Sequence, residues 1–215
     1  MQSPETVLPA RGRKARRRAP ALLAAASAFV MLTATDSAAA RTDNIVPTFH
    51  YINLCTENGG LCQTDNADLT YYMDSGGGDA LEESDKNRMR TMLKNEYSPT
   101  DLKISYDSTP SWSGAAETDI YYAEGAVSGS AVGISWCNDA IARTYKCDQN
   151  YIRIESAWMD YSTMCHETGH AVGLTHGNIA DPPRHKDDPI LGCMTVNVNN
   201  SDLGANNKAN INSVY

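Results

Sequence analysis

Downstream of residue 40 the apolar positions fall into short strand-like runs interrupted by helical stretches. Thr48 to Leu54 and Leu69 to Met73 carry β-branched and aromatic residues and read as strands joined by the Cys55–Cys62 segment. Gly76, Gly77 and Gly78 punctuate. Asp79 to Tyr97 then reads as a helix with apolar positions Leu81, Met89, Met92 and Leu93, stopped by Pro99. Four more alternating segments follow: Leu102–Tyr106, Asp119–Ala123, Ala131–Cys137 and Tyr151–Glu155. A second helix, capped by Asp160 or Ser162, runs to about Gly173, where a residue without Cβ can leave the helix through positive φ. Ser201 opens a closing segment that ends Ala209-Asn-Ile211-Asn-Ser-Val214-Tyr215, a helix of low intrinsic propensity. The chain shows no internal repeats and no low-complexity linkers.

The first 40 residues have a different pattern. Arg11, Arg13, Lys14, Arg16, Arg17 and Arg18 precede an apolar block from Ala21 to Leu32, and Ala38-Ala39-Ala40 follows as a small-residue cleavage site before Arg41. Twelve residues are too few to span a bilayer as a helix, which needs about 20. The segment reads as an export signal over 1–40, with no stable membrane anchor and a secreted product. The paired arginines leave both the general and the twin-arginine routes open. Without this segment the chain retains 12 Lys+Arg against 24 Asp+Glu, a net charge near −12. Such a balance argues against nucleic acid as a partner, because phosphates demand Lys and Arg. Residues 41–215 suit one domain with its own core, expected to be a monomer.

Within the second helix lies His166-Glu-Thr-Gly-His170-Ala-Val-Gly173-Leu-Thr-His176, an uninterrupted H-E-x-x-H-x-x-G-x-x-H. With 5 His and 15 Gly in 215 residues, chance supplies the full pattern on the order of once in 10⁵ such chains, far more rarely than a bare H-E-x-x-H. Histidines four apart share one helix face, so His166 and His170 can reach one ion. Gly173 lets the backbone turn and return His176 as a third ligand. A fourth tetrahedral position then stays open, as in catalytic zinc sites. Glu167 is beside the first ligand and free to take a proton from a metal-bound water.

These residues resemble the metzincin clan of zinc endopeptidases. The resemblance implies a domain over 41–215 of α+β class, with an α/β-like N-terminal part. It implies a twisted, mostly parallel sheet with an antiparallel edge strand, two long helices, a Met-turn and a C-terminal helix. It makes Met194, in Leu191-Gly-Cys-Met-Thr195, the methionine that packs under the ligands. It implies one catalytic Zn²⁺, protein or peptide substrates, and a substrate strand pairing along Ala131–Trp136. Within the clan, H-E-T-G-H and Asp119-Ile-Tyr-Tyr-Ala-Glu124 are most similar to the snapalysins, which carry Asp where this chain has His176. Gly177 after the third histidine differs from the residues that mark matrixins, adamalysins, astacins or serralysins, and no Tyr lies two residues after Met194.

Six cysteines in an exported chain read as three disulfides, for which fifteen connectivities are formally possible. Proximity favours Cys55–Cys62 and Cys137–Cys147. Cys165–Cys193 remains, and it abuts both the first ligand and the Met-turn. Cysteine ligation has no support, since no C-x₂-C pair is present. His185 reads as an exposed loop histidine, His50 as a strand-face residue, and Tyr121 and Tyr122 as core. Asp65, Asn66 and Asp68, or Asp181, Asp187 and Asp188, offer calcium ligands, yet neither set follows a known calcium-loop spacing, so both read as solvated loop acids. Two rival classes fit less well. A structural zinc module would need neither an open coordination position nor Glu167, and an eroded protease fold would have lost a ligand or the glutamate.

Overall fold

The computed structural model describes residues 41–114, 116–197 and 200–215; the expected export signal over 1–40 lies outside them. The fold is a mixed α+β arrangement around a six-stranded, mostly parallel sheet. Its strands are β1 (Gln63–Thr64), β2 (Asp68–Met73), β3 (Lys103–Tyr106), β4 (Ile120–Glu124), β5 (Gly133–Ala140) and β6 (Lys146–Ile154). The helices are α1 (Glu83–Met92), α2 (Tyr161–Ala171) and α3 (Gly204–Ile211). Strand β2 has β3 and β4 as parallel neighbours, and β6 pairs in parallel with β4 at one end and β1 at the other. Along its opposite side β6 takes β5, the single antiparallel strand of the described sheet, which lies at its edge.

Alternation along the strands separates two faces. Leu69, Tyr71 and Met73 of β2, Ile120 and Tyr122 of β4, and Ile152 and Ile154 of β6 are buried on the inner face. There they join Met89, Met92 and Leu93 of the first helix and Met164, Cys165 and Ala171 of α2 in one apolar core. The other face carries Tyr72, Tyr121, Tyr151 and Trp136 at neighbouring register positions, ring centres 5.0–5.8 Å apart. Cross-strand aromatic pairs of this kind stabilise a pleated surface. Of the two tyrosines expected in the core, Tyr122 is there; Tyr121 belongs to the outer aromatic row.

Two expected elements differ. Thr48–Leu54 is not a strand: only an isolated bridge joins Thr48 to Tyr51, and Phe49, Ile52 and Leu54 are exposed. β-branched and aromatic residues suit a pleated, half-buried surface, and no sheet neighbour offers one here. His50 consequently sits in an exposed turn against the Phe49 ring, with no strand face to occupy. The first helix begins at Glu83 rather than Asp79, because Gly77–Asp79 forms a separate 3₁₀ turn and Ala80 and Glu82 are extended. It also ends unusually. Leu93–Tyr97 widens into a π turn, in which Ser98 N–H bonds the Leu93 carbonyl. The wider turn aims Glu96 and Tyr97 inward, where Tyr97 Oη donates to the Cys165 carbonyl of α2 at 2.6 Å. Glu96 accepts from the backbone N–H of Leu203 at 2.9 Å and from Tyr161 Oη at 3.1 Å.

α3 is short and rich in asparagine, a poor helix former. Tertiary bonds offset that deficit. Asn206 and Asn210 both donate to Asn44 Oδ1, Asn210 also to the Thr42 carbonyl, and Asn207 to the carbonyls of Leu191 and Leu203. The disulfides Cys55–Cys62, Cys137–Cys147 and Cys165–Cys193 are all present, the pairs expected from the sequence. No described helix is long and apolar enough to cross a membrane.

Candidate metal centre

α2 starts where Asp160 accepts the Thr163 N–H at 2.9 Å, so Asp160 is the cap and Ser162 only braces it. Its end is a paired Schellman closure. Gly173 N–H bonds the His170 carbonyl and Leu174 N–H bonds the Gly169 carbonyl, with Gly173 at φ +94°. The chain then reverses. Leu174 and Thr175 run beside the N-terminal segment, where Val46 N–H meets the Gly173 carbonyl and Thr175 N–H meets the Asn44 carbonyl. Asn44 Nδ2 adds a bond to the Thr175 carbonyl. This lashing delivers His176 to the face of α2 that carries His166 and His170.

The three imidazoles converge. His166 Nε2 lies 3.1 Å from His170 Nε2 and 3.0 Å from His176 Nε2. Their other nitrogens explain the arrangement. His166 Nδ1 is 2.7 Å from the Cys193 carbonyl and His170 Nδ1 is 2.9 Å from the Leu174 carbonyl. A carbonyl only accepts, so each Nδ1 must carry the proton and each Nε2 must present a lone pair. Lone pairs aimed at one another at 3 Å repel unless a cation lies among them. Burial also keeps these rings neutral: His166 is pulled down to about 4, and His170 and His176 fall below the usual histidine range. The cluster is a group able to hold a metal ion, and its donor set of neutral nitrogens suits zinc.

Glu167 points from the neighbouring position into a cleft of about 750 Å³. Among the described residues it accepts no hydrogen bond and makes no ion pair, and burial pushes its carboxyl up to about 8. It leans on β5: a Cβ at Gly133 would lie 2.6 Å from Glu167 Oε1. The cleft wall is the free margin of β5. Cys137 exchanges backbone bonds outward with Asn58 and Gly59, so alternation turns the outward N–H and C=O of Gly133 and Ser135 toward the cleft. Ile134, Trp158 and Val196 form an exposed apolar rim.

Met194 is fully buried against α2, with its sulfur packed where a Cβ of Gly169 would be. Gly192, at φ +53°, turns the chain just before Cys193 and Met194, and any Cβ there would collide with the Leu203 carbonyl. Gly177 has a local cause as well: a Cβ would come within 2.9 Å of Arg184 and 2.7 Å of Leu191. The roles of Gly133, Gly169 and Gly177 were not legible beforehand, since each depends on a neighbour distant in sequence. His185 is exposed, near Asp187, and away from the cluster. Of the candidate calcium acids, Asp68, the first residue of β2, pairs with Lys103, Asp187 pairs with Lys186, and Asp188 accepts the N–H of Ile190, whereas Asp65 accepts from Asn66 with one oxygen and has the other sealed without a partner.

No family model matches the chain, and no curated protein does.

Proposed function

We propose that residues 41–215 form an exported zinc endopeptidase of metzincin type, with His166, His170 and His176 as ligands and Glu167 as general base and acid. One observation carries this reading. Three imidazole Nε2 atoms converge, those of His166 and His170 held as lone pairs by the carbonyls on their Nδ1, beside an unpaired, buried carboxyl group, and both open onto a cleft walled by an unpaired strand edge. A purely structural metal site would be closed by a fourth protein ligand, and among the described residues no fourth His, Cys, Asp or Glu joins this cluster.

When bound, zinc supplies Lewis acidity that polarises a carbonyl and acidifies water. The chain's own groups do the rest. The outward N–H and C=O groups of Gly133 and Ser135 would align a peptide as an added antiparallel strand, which positions its carbonyl over the histidines. Glu167 takes a proton from the attacking water and later returns it to the leaving amine. Neighbouring Gly133 leaves room for that carboxylate and fixes its side of the cleft. Ile134, Trp158 and Val196 favour apolar side chains in the substrate. Met194 and the Cys165–Cys193 bridge support the floor beneath the ligands, as the clan's Met-turn does. The three disulfides agree with an oxidising, extracellular destination.

The test combines metal analysis with casein zymography. One zinc per chain, and cleavage that a chelator abolishes and zinc restores, are the expected results. A chain that binds zinc yet cleaves neither casein nor a peptide library would leave a metal-binding module and overturn the enzyme.

A further inference from the structure

At the end of the sheet away from the histidines, three carboxylates from separate stretches of chain converge. Glu117 is in the loop entering β4, Asp139 is in β5 and Asp148 is in β6; one oxygen of each lies within 4.8 Å of the others. Each is placed by identifiable local structure. The β5–β6 pairing is irregular on both sides of Asp139, a bulge that re-aims its side chain. The Cys137–Cys147 disulfide bridges the hairpin beside Asp139 and Asp148. Gln149 Nε2 donates to the carbonyls of Ser111 and Thr118, which binds the loop bearing Glu117 to β6.

The cluster lacks what would neutralise it. Among the described residues no Lys, Arg or His forms an ion pair with any of the three. Lys146, two residues from Asp148, donates instead to the backbone carbonyl of Asp65. Glu117 is only 9% exposed, and its Oε2 is sealed from solvent without a hydrogen-bond partner. A buried carboxylate oxygen left unpaired beside two more carboxylates is costly unless a cation joins them.

We propose that Glu117, Asp139 and Asp148 form a calcium site that clamps the β5–β6 hairpin to the loop entering β4. An all-oxygen, all-carboxylate set selects a hard cation over zinc or copper. Ligand distances of about 2.3–2.6 Å place oxygens up to about 5 Å apart across a calcium ion, which spans this cluster, whereas magnesium draws its ligands to about 2.1 Å and usually takes one or two carboxylates. The ordinary ionisation of the cluster is also disturbed. Burial and then Asp139 and Asp148 push Glu117 up, against the pull of the Gly114 backbone N–H; burial, then Asp65 and Asp139, push Asp148 up. A divalent cation would reverse both. The same β5 that calcium would anchor at Asp139 supplies the cleft wall at Gly133 and Ser135, so the ion would steady that wall from a distance.

The experiment needs no proteolysis and is independent of the proposed activity. The full mature chain, in a Glu167→Gln background that precludes self-cleavage, is melted at fixed zinc in buffer freed of calcium and then at about 10 mM calcium or magnesium. Dissociation constants of about 10⁻⁴–10⁻³ M would raise the melting temperature by about 3–10 °C with calcium and less with magnesium. Glu117→Gln and Asp148→Asn should each remove most of that rise. Each should also melt no lower than the parent without calcium, because an amide relieves like-charge repulsion. Should either fail to fold, Asp139→Asn, at an exposed position, replaces it, with calcium binding read by calorimetry. No calcium-dependent rise, an equal rise with magnesium, or a rise undiminished in the variants would overturn the site.

Discussion

At the scale of single residues, the site depends on which atoms are free. His166 and His170 spend their Nδ1 protons on backbone carbonyls, and Glu167 spends nothing. Glu167→Gln should therefore keep the fold and one zinc while kcat falls about 10²–10⁴-fold, the usual contribution of general acid–base catalysis. Wild-type turnover by a zinc-loaded variant would remove Glu167 from its role. Gly133→Ala tests the carboxylate's seat. The new Cβ would meet Glu167 within 2.6–2.8 Å, so one of them must move. Overpacking of this kind costs roughly 1–3 kcal/mol, and we expect kcat to fall by about tenfold or more with zinc content unchanged. An unaltered kcat would show that the carboxylate has slack. The convergence of the three histidines, with Glu167 beside them, could be read from eleven consecutive residues, because one helical turn and one glycine determine their geometry. Gly133 could not, since its constraint comes from a side chain 34 positions away.

Among the elements, α2 and the Met194 turn act as a pair. The Cys165–Cys193 bridge joins them, and the Cys193 carbonyl is also the acceptor that orients His166. Replacing the pair by Cys165→Ala and Cys193→Ser opens a 28-residue loop, for which chain entropy gives roughly 3–4 kcal/mol. The melting temperature should fall by about 10 °C. Zinc should also be lost more readily to a mild chelator, since His166 then keeps its carbonyl partner only part of the time. Retention equal to wild type would assign the bridge to stability alone. The strands were largely legible, because alternation such as Leu69, Tyr71 and Met73 reports a half-buried sheet directly. Thr48–Leu54 misled for the complementary reason: propensity cannot say whether a neighbouring strand exists. The π turn at Leu93–Tyr97 leaves no mark in hydrophobic period, and it is what turns Glu96 toward Leu203 and Tyr161 and Tyr97 toward α2.

Across the whole molecule, acidic groups accumulate at the sheet end remote from the histidines, and the fold carries a pH dependence there. Asp119 is buried with its Oδ2 held by the Thr70 N–H and hydroxyl at 2.6 Å, beside Asp65, one of whose oxygens is sealed without a partner. Burial, with Asp65 adding to it against the Thr70 bonds, pushes Asp119 up to about 7 from the ordinary aspartate range. In the unfolded chain the same group ionises near pH 4. Between those values the folded state binds more protons, so stability must fall as pH rises from about 4 to about 7 and then level off, as far as this residue is concerned. Release of the proposed zinc from the histidines would work in the opposite direction at low pH and would be shared by any variant at position 119. The informative quantity is thus a difference between two proteins. Asp119→Asn keeps an oxygen for Thr70 and has no charge to bury. It should gain stability on wild type steadily from pH 4 to 7, with little further gain above, in melting curves recorded at fixed zinc and without calcium. A difference that stays flat across that range would show that Asp119 is ionised in the fold at all these pH values and that its burial costs nothing that pH can relieve.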